Sequence, residues 1–571
     1  MGETHLRSVL PIIFWLLLAV CHASPEEIDP PISQEELPSD SSKKQRASSI
    51  PEHTIQAIIL VNSKAELLEV DSLQGLYGLK IKDVPIPGTK SALNAKLTPL
   101  YYNQKFTQKN VTQIKKAITE FYEENGLPFV LVSVPSQNIT KGVLQLVVQE
   151  SKIGKLEFVG NKWAPTKMVS KYLTLKEGDS IRQNALLKDL DFMNRNPFRR
   201  VSLIYSQGDT KNTTNLTFDV DARKPYRFYT GVDDTGVPTT GRGRVFAGFC
   251  WDQMFQLDHM LLFQYTTNYE SSKFHAYTVQ YTAYLPWEAV LNLFGGYSSV
   301  HAHLPYPDRS NHGQSGQASL RYHTPFAPNR SLIHEFIAGA DWKITDNTVE
   351  YVDTVFPVFA QAINISQGVL GYVCKYQKEK TAVESGIEMF FSPGEILPGQ
   401  SNADFESLRP GAKNTWVYFN GHLSYEKMFS SFTYQFYFKG QASTESLIPM
   451  VQLGIGGYGS VRGYDERQMS VDTGMFVSNE LRAPGFSIFR SKQPHQDKMQ
   501  FLIFFDVGGG ADYNKIFSIK PHNYLMGAGP GVRYHFGQFL TARLDWGIKL
   551  HHQEGFTGGN SMFHFSVIGS Y

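Results

Sequence analysis

Two short segments carry the side chains best suited to specific chemistry. Arg462 stands in Gly459-Ser460-Val461-Arg462-Gly463-Tyr464, behind a glycine-rich run from Gly454 to Gly457. Asp506 follows in Phe504-Phe505-Asp506-Val507-Gly508. An arginine offers a planar fork that keeps its charge, and a carboxylate offers two acceptors. Taken singly, Arg462 reads as a solvated arginine in a turn, and Asp506 as any residue near a strand end. The alternation around Asp506 sharpens this. Leu502, Phe504 and Asp506 share one face of an extended strand, and Phe501, Ile503 and Phe505 share the other. If the second face meets lipid, Asp506 looks into an enclosed lumen, where a carboxylate partly cut off from water needs a partner.

Catalytic constellations are missing. There is no G-x-x-x-x-G-K-[ST] loop, no G-x-S-x-G elbow and no H-E-x-x-H. The 17 histidines are scattered, and the short pairs His551-His552 and His301-x-His303 fall below the three or four ligands a metal needs. The chain therefore reads as a non-enzyme with no catalytic residue, metal or cofactor. Lys plus Arg is 54 and Asp plus Glu is 53, so no net field draws nucleic acid. Beyond the leader, Cys250 and Cys374 lie far apart and outside any C-x-x-C, which suits two small buried or lipid-facing residues better than a disulfide. The N-x-[ST] sites, at Asn110, Asn138, Asn212, Asn215, Asn329 and Asn364, occur at ordinary frequency and carry no weight.

The elements that must position these residues are strands. From Tyr226 onward helical periodicity vanishes, and alternation runs in segments of about ten residues, the length of a tilted membrane strand. Along Leu540–Leu550, Leu540, Ala542, Leu544, Trp546, Ile548 and Leu550 point one way. Thr541, Arg543, Asp545, Gly547 and Lys549 point the other. A wall with lipid outside and water inside explains both faces. Similar alternation marks Phe274–Leu285, Phe432–Lys439 and Gln500–Asp506, and about sixteen such segments fit into the C-terminal part. The last strand carries Phe563, Phe565, Val567, Gly569 and Tyr571 on one face. Phe563 and Tyr571 are therefore expected at the closure of a barrel, where the first strand must pair with the last. Aromatic residues at 13% with a mean hydropathy of −0.27 fit such a wall and exclude a helical membrane protein.

The N-terminal part reads differently. Arg7, the apolar run Leu10–Val20 and Cys21-His22-Ala23 form a signal peptide over 1–23, because that run is too short to span a bilayer that needs about 20 residues. Residues 24–53, broken by Pro25, Pro30, Pro31, Pro38 and Pro51, form a disordered linker. Residues 54–150 then give a strand at Thr54–Val61, a helix from the N-cap Thr107 to Asn125, and strands at Phe129–Val134 and Gly142–Gln149. Residues 151–224 repeat the order. A strand at Ile153–Val159 precedes a short helix over Pro165–Leu173. A helix from Ser180 follows, with Leu186, Leu190 and Met193 on one face, then strands at Val201–Ser206 and Leu216–Val220. The fold expected is mainly β: a 16-stranded transmembrane β-barrel over 225–571, preceded by two small α/β domains.

A VRGY loop about forty residues before an F-x-D-x-G strand, behind two strand–helix–strand units, resembles the two-partner secretion transporters (TpsB type, the haemolysin secretion/activation proteins). The two units resemble POTRA domains. The second does so through Gly160-Asn161, Gly178-Asp179, Asn194-x-Asn196-Pro197-Phe198 and Pro225, and the first matches less closely. The resemblance covers about residues 54–571. It implies that Val461, Arg462, Gly463 and Tyr464 form the tip of a loop folded back into the lumen. It also implies that Arg462 pairs with Asp506, beside Phe504 and Gly508, as a latch. Many relatives plug the pore with an N-terminal helix, but the proline-broken stretch 24–53 offers none of useful length.

The implied activity is protein transport by type V, two-partner secretion. A partner exoprotein, unfolded in the periplasm, adds to POTRA sheet edges, passes through the barrel and folds outside. The expected setting is the outer membrane, with the N-terminal domains in the periplasm. Outer-membrane lipid and the secreted protein are the partners, nucleic acid is not, and the transporter is a monomer. The rivals are an outer-membrane protein assembly insertase, against which two POTRA-like units rather than three or more argue, and a passive porin, against which a folded-in loop argues. An adhesin would carry large extracellular insertions that this sequence lacks.

Overall fold

The computed structural model describes residues 54–160, 162–271, 273–303, 309–326, 332–351, 357–489, 497–514, 523–552 and 559–571. The expected signal peptide, the linker and Asn161 lie outside the described residues. Two compact units divide the chain between Ala222 and Arg223.

In the first unit, β1 (Ala57–Val61) is fully buried and central. It pairs in parallel with β2 (Gly78–Lys82) and β4 (Val143–Glu150), and β3 (Val130–Ser133) closes the far edge antiparallel to β4. Two helices cover one face of the sheet: α1 (Lys90–Tyr101) and α2 (Gln108–Glu124). The cap is as expected, with the Thr107 hydroxyl accepting from the Asn110 N–H at 3.1 Å. Ile114, Ile118 and Phe121 pack on Ile58, Leu60 and Leu146. Tyr122 buries with them and donates to the Pro85 carbonyl at 2.6 Å, and burial pushes its phenol up. The α1 helix and β2 have no counterpart in the sequence reading.

A second small sheet orders β5 (Lys152–Val159), β7 (Thr213–Ala222) and β6 (Arg199–Gln207), with β7 in the middle. The expected short helix shrinks to α3 (Thr166–Ser170), behind Pro165. The longer one is α4 (Gln183–Met193), and its buried face holds Leu186, Asp189, Phe192 and Met193. Asp189 thus takes the buried place expected for Leu190. Its carboxylate is satisfied by the Thr174 N–H at 2.8 Å and the Thr174 hydroxyl at 2.9 Å. The two sheets are tied by the Gln183 N–H donating to the Gly126 carbonyl at 2.9 Å and by the Phe129 and Tyr205 rings, 4.7 Å apart.

The second unit is a closed barrel of sixteen strands, each antiparallel to its neighbours. Its first eight are β8 (Tyr226–Asp233), β9 (Arg244–Trp251), β10 (His259–Asn268), β11 (Phe274–Tyr284), β12 (Val290–His303), β13 (Arg309–Pro325), β14 (Leu332–Tyr351) and β15 (Pro357–Lys378). Then come β16 (Thr381–Pro393), helix α5 (Asn402–Leu408), β17 (Thr415–Met428) and β18 (Thr433–Ser443). A short hairpin, β19 (Leu453–Ile455) and β20 (Met469–Val471), stands outside the wall, which resumes with β21 (Thr473–Arg482). The last strands are β22 (Asp497–Ala511), β23 (Asn523–Phe536), β24 (Leu540–Lys549) and β25 (Ser561–Ser570).

Alternation sorts the wall by face. On β24, Leu544, Trp546 and Ile548 are exposed outward, while Asp545 between them is 0% exposed. On β22, Phe501, Ile503 and Phe505 are outside, and Leu502, Phe504 and Asp506 are inside. Strand length is less even than ten residues. It runs from 8 in β8 to 20 and 22 in β14 and β15, because polar hairpins keep pairing beyond the apolar band. Cys250 and Cys374 are buried and form no disulfide.

Candidate functional site

Two connections fold into the barrel rather than away from it. Residues 394–414, between β16 and β17, carry α5. Ser401 caps that helix by accepting from the Asp404 N–H at 3.2 Å, while the Asp404 carboxylate accepts from the Ser401 N–H at 2.9 Å. Phe405 buries fully against Trp416, with ring centroids 5.4 Å apart, and joins the inward-facing Ile363, Ile365 and Tyr418. Residues 444–472, between β18 and β21, form the second connection. Leu447, Ile448 and Val451 at its start pack on the same apolar cluster.

The tip of this second loop holds Val461, Arg462, Gly463 and Tyr464. Arg462 is the largest fully enclosed side chain, 2% exposed, and its charge is met on every side. Its Nε and Nη2 donate to the two Asp506 oxygens at 2.7 and 2.8 Å, and its own N–H adds a third bond to that carboxylate at 3.1 Å. Nη1 reaches Glu480 at 2.6 Å and Asp545 at 3.4 Å. Nη2 also donates to the Ser478 hydroxyl at 3.0 Å. The guanidinium plane lies 3.6 Å from the centre of the Phe504 ring. Three wall strands, β21, β22 and β24, thus supply one carboxylate each to a single loop residue.

The wall carboxylates are braced by further arginines. Arg533 grips Asp545 at 2.6 and 3.1 Å and touches Glu480 at 3.2 Å. Arg543 donates to Asp545 at 2.7 Å, and Arg482 donates to Glu480 at 2.6 Å. A network this well paired repays much of the desolvation of its charges, whereas losing one member leaves a bare buried ion.

The other motif residues serve close approach. Val461 and Tyr464 sit in an apolar nest with Ile455, Met469, Val471, Phe476 and Leu525. The Tyr464 hydroxyl meets the Met526 and His551 carbonyls at 2.9 and 2.5 Å. Gly508 faces the nest, and a Cβ there would stand 2.8 Å from Ile455 and 3.1 Å from Val461. Gly463 has φ +99°, and its backbone lies on that of Gly547, where an added Cβ would come within 2.3 Å of the Gly463 nitrogen. At the closing seam, Tyr571 exchanges main-chain hydrogen bonds with Phe228 at 2.8 and 3.0 Å. Phe563 faces outward and stacks on Trp546, 5.8 Å away on the preceding strand, with no rung of its own across the seam.

Several site residues escaped the sequence. Glu480, Ser478 and Arg533 lie on lumenal faces of strands whose mutual register no local pattern reveals. Asp545 and Arg543 stood on the polar face of Leu540–Leu550, but nothing linked them to Arg462. At the base of the loop, the fully buried Asp472 binds Arg409 through two bonds of 2.6 and 3.1 Å and accepts from the Leu447 N–H at 3.1 Å. Among the described residues no group of three or more histidine, cysteine or carboxylate side chains is placed to hold a metal ion.

Comparison with known proteins gives this geometry a setting. Residues 212–534 match the haemolysin secretion/activation protein family ShlB/FhaC/HecB. Residues 79–151 match the ShlB-type POTRA domain, and residues 151–223 match a second POTRA family, the surface antigen variable number repeat. The heme/hemopexin transporter protein HuxB of Haemophilus influenzae is 23% identical over 455 residues, 76% of each chain. The outer membrane transporter CdiB of Dickeya dadantii is 20% identical over 449 residues, again 76% of each. Two solved structures share the fold. CdiB from Escherichia coli has a TM-score of 0.76 and 15% identity, and CdiB from Acinetobacter baumannii has a TM-score of 0.64 and 17% identity. Each comparison covers 100% of this chain and 98% of the other. A transporter family and a translocator fold, rather than those of an enzyme, hold the Arg462 loop. The barrel lies in the outer membrane, and the POTRA domains ahead of it are periplasmic in this family. The chain belongs to the haemolysin secretion/activation family, the two-partner secretion transporters of the outer membrane.

Proposed function

We propose that this transporter captures one unfolded exoprotein in the periplasm and passes it through the barrel once the Arg462 loop withdraws. A leader over 1–23 and a linker over 24–53 precede POTRA domains at 54–150 and 151–224, with the barrel at 225–571. The POTRA sheets leave β2, β3, β5 and β6 as edges. Leu131 on β3 and Ile204 on β6 are more than half exposed, so an extended segment can gain both main-chain bonds and apolar contact there. The apolar outer wall takes lipid, and the transporter acts as a monomer with no catalytic step, cofactor or metal.

The observation that carries this reading is the enclosure of Arg462 among Asp506, Glu480 and Asp545. An arginine so placed holds a loop firmly in one position and lets go as a unit, which is what a gate requires. The test is R462A in the full chain, measuring barrel level, ion conductance in planar bilayers and partner in the medium. The expected outcome is a normal barrel level, raised conductance and impaired secretion. Undiminished secretion with an unchanged conductance would sink the latch. Depletion of the transporter should cost the cell one secreted protein, whereas loss of many outer-membrane proteins would point to an insertase.

A further inference from the structure

The loop tip touches more than the wall that holds Arg462. The next residue reaches the seam where the barrel closes. The Gly463 N–H donates to Nε2 of His564 at 3.0 Å, and Nδ1 of His564 lies 2.8 Å from an Asp234 oxygen. His564 is on the last strand, β25, and Asp234 directly follows the first, β8. The other Asp234 oxygen accepts from the Phe565 N–H at 2.9 Å. Two residues further along the loop, Asp465 pairs with Arg242 at 2.6 Å, in the connection after β8. The seam beneath is short: Tyr229–Asp233 pair with Ser566–Ser570, while the neighbouring β8–β9 ladder runs from Tyr226 to Asp233.

We propose that His564 is a positioning residue that ties the docked loop to the barrel seam, and that it lets go of the loop when its Nε2 takes up a proton. A backbone N–H can only donate, so Nε2 must be the unprotonated acceptor and Nδ1 must carry the hydrogen given to Asp234. A proton arriving at Nε2 turns that acceptor into a donor facing Gly463. The bond to Asp234 survives and becomes an ion pair. Protonation therefore releases the loop and leaves the seam pair intact. The titratable and charged groups around His564 are Asp233 and Asp234 at the end of β8, Arg462, Asp465 and Glu466 in the loop, and Arg543 and Asp545 on β24. Glu466, in the loop rather than in a spanning strand, acts in the opposite direction. Burial pushes its carboxyl up to about 7, so acid favours its docked, neutral form.

The inference rests on the latch reading, and the experiment separates the two. The full chain is reconstituted in planar bilayers, and conductance is followed from about pH 8 to about pH 5.5. The comparison uses R462A, H564Q and H564F, with E466Q in every chain to silence the opposing carboxyl. His564→Gln keeps an acceptor for Gly463 and a donor for Asp234 in a side chain that does not titrate. The expected result is that acid raises the open-to-closed ratio about fivefold in the parent, the worth of one net hydrogen bond. H564Q should keep the parent's alkaline ratio at every pH, and H564F should sit about fivefold above that ratio and also be flat. A pore opened by R462A but equally acid-sensitive in H564Q overturns this inference alone. A pore that R462A leaves shut overturns the latch reading beneath it. Should H564F fail to assemble, the slope in H564Q still decides.

Discussion

The two inward-folded connections fill one lumen by different physics. The α5 connection is seated by apolar contact, Phe405 on Trp416 with Ile363 and Ile365 beneath, and its deep ion pair, Arg409 with Asp472, lies beyond the helix at the base of the second loop. The second loop shares that cluster at its base, but its tip is held by a buried arginine among three carboxylates. Apolar burial is nondirectional and tolerates small shifts. A guanidinium bonded on every side has one good position and none nearby, because each bond lost uncovers charge. On the latch reading proposed above, the difference is a division of labour: the largely apolar connection fills space, and the ionic tip sets a threshold for motion.

That contrast can be broken hardest at Arg462. R462A leaves Asp506 fully buried without its main partner and should destabilise the docked loop by about 3–5 kcal/mol. Protease accessibility of the loop should rise sharply, and that of α5 should stay as it was. A smaller effect is expected at Gly508, where a Cβ would press on Ile455 and Val461. G508A should loosen the tip by about 1–3 kcal/mol through overpacking, with the ion network still present. The same protease assay reads it, and an unchanged loop would show that the fit against β22 is slack.

The apolar partner is probed through its cap. S401A removes an acceptor for the Asp404 N–H and should cost α5 about 1 kcal/mol. Proteolysis should then begin in residues 394–414 before it touches the tip. The smallest effect belongs to R242A, whose half-exposed side chain pairs with Asp465. It should change loop docking by less than about 1 kcal/mol, and the change should fade in high salt. A salt-independent effect as large as that of R462A would erase the distinction between rim and buried ions.

The sequence spoke most clearly where one solvent boundary sets one face. Alternation at Leu540–Leu550 and Gln500–Asp506 follows directly from lipid against lumen, and the wall shows those faces. The Thr107 cap was legible because its bond is local. The α1 helix was not: Pro99 lies inside it, and only Leu93, Leu97 and Tyr101 mark its buried side. Alternation tells which way a side chain faces, not which residue of another strand it meets. Hence Asp506 could be assigned to the lumen, while Glu480 and Arg533 were invisible as partners of the loop. Asp189 was missed for a related reason, since its partner Thr174 comes from outside its helix.

The charge count of the ion network has one last consequence. With the loop docked, Arg462, Arg482, Arg533 and Arg543 face Glu480, Asp506 and Asp545, four positive groups against three negative. When the loop leaves it carries Arg462 away, and three arginines remain opposite three carboxylates. On the latch reading proposed above, that patch of wall is then electrically even, and Arg242, having lost Asp465, is the cation left over at its rim. If the loop is the gate, an extended chain that enters meets a patch holding neither its acidic nor its basic residues by net charge, and the departing loop is what brings that evenness about.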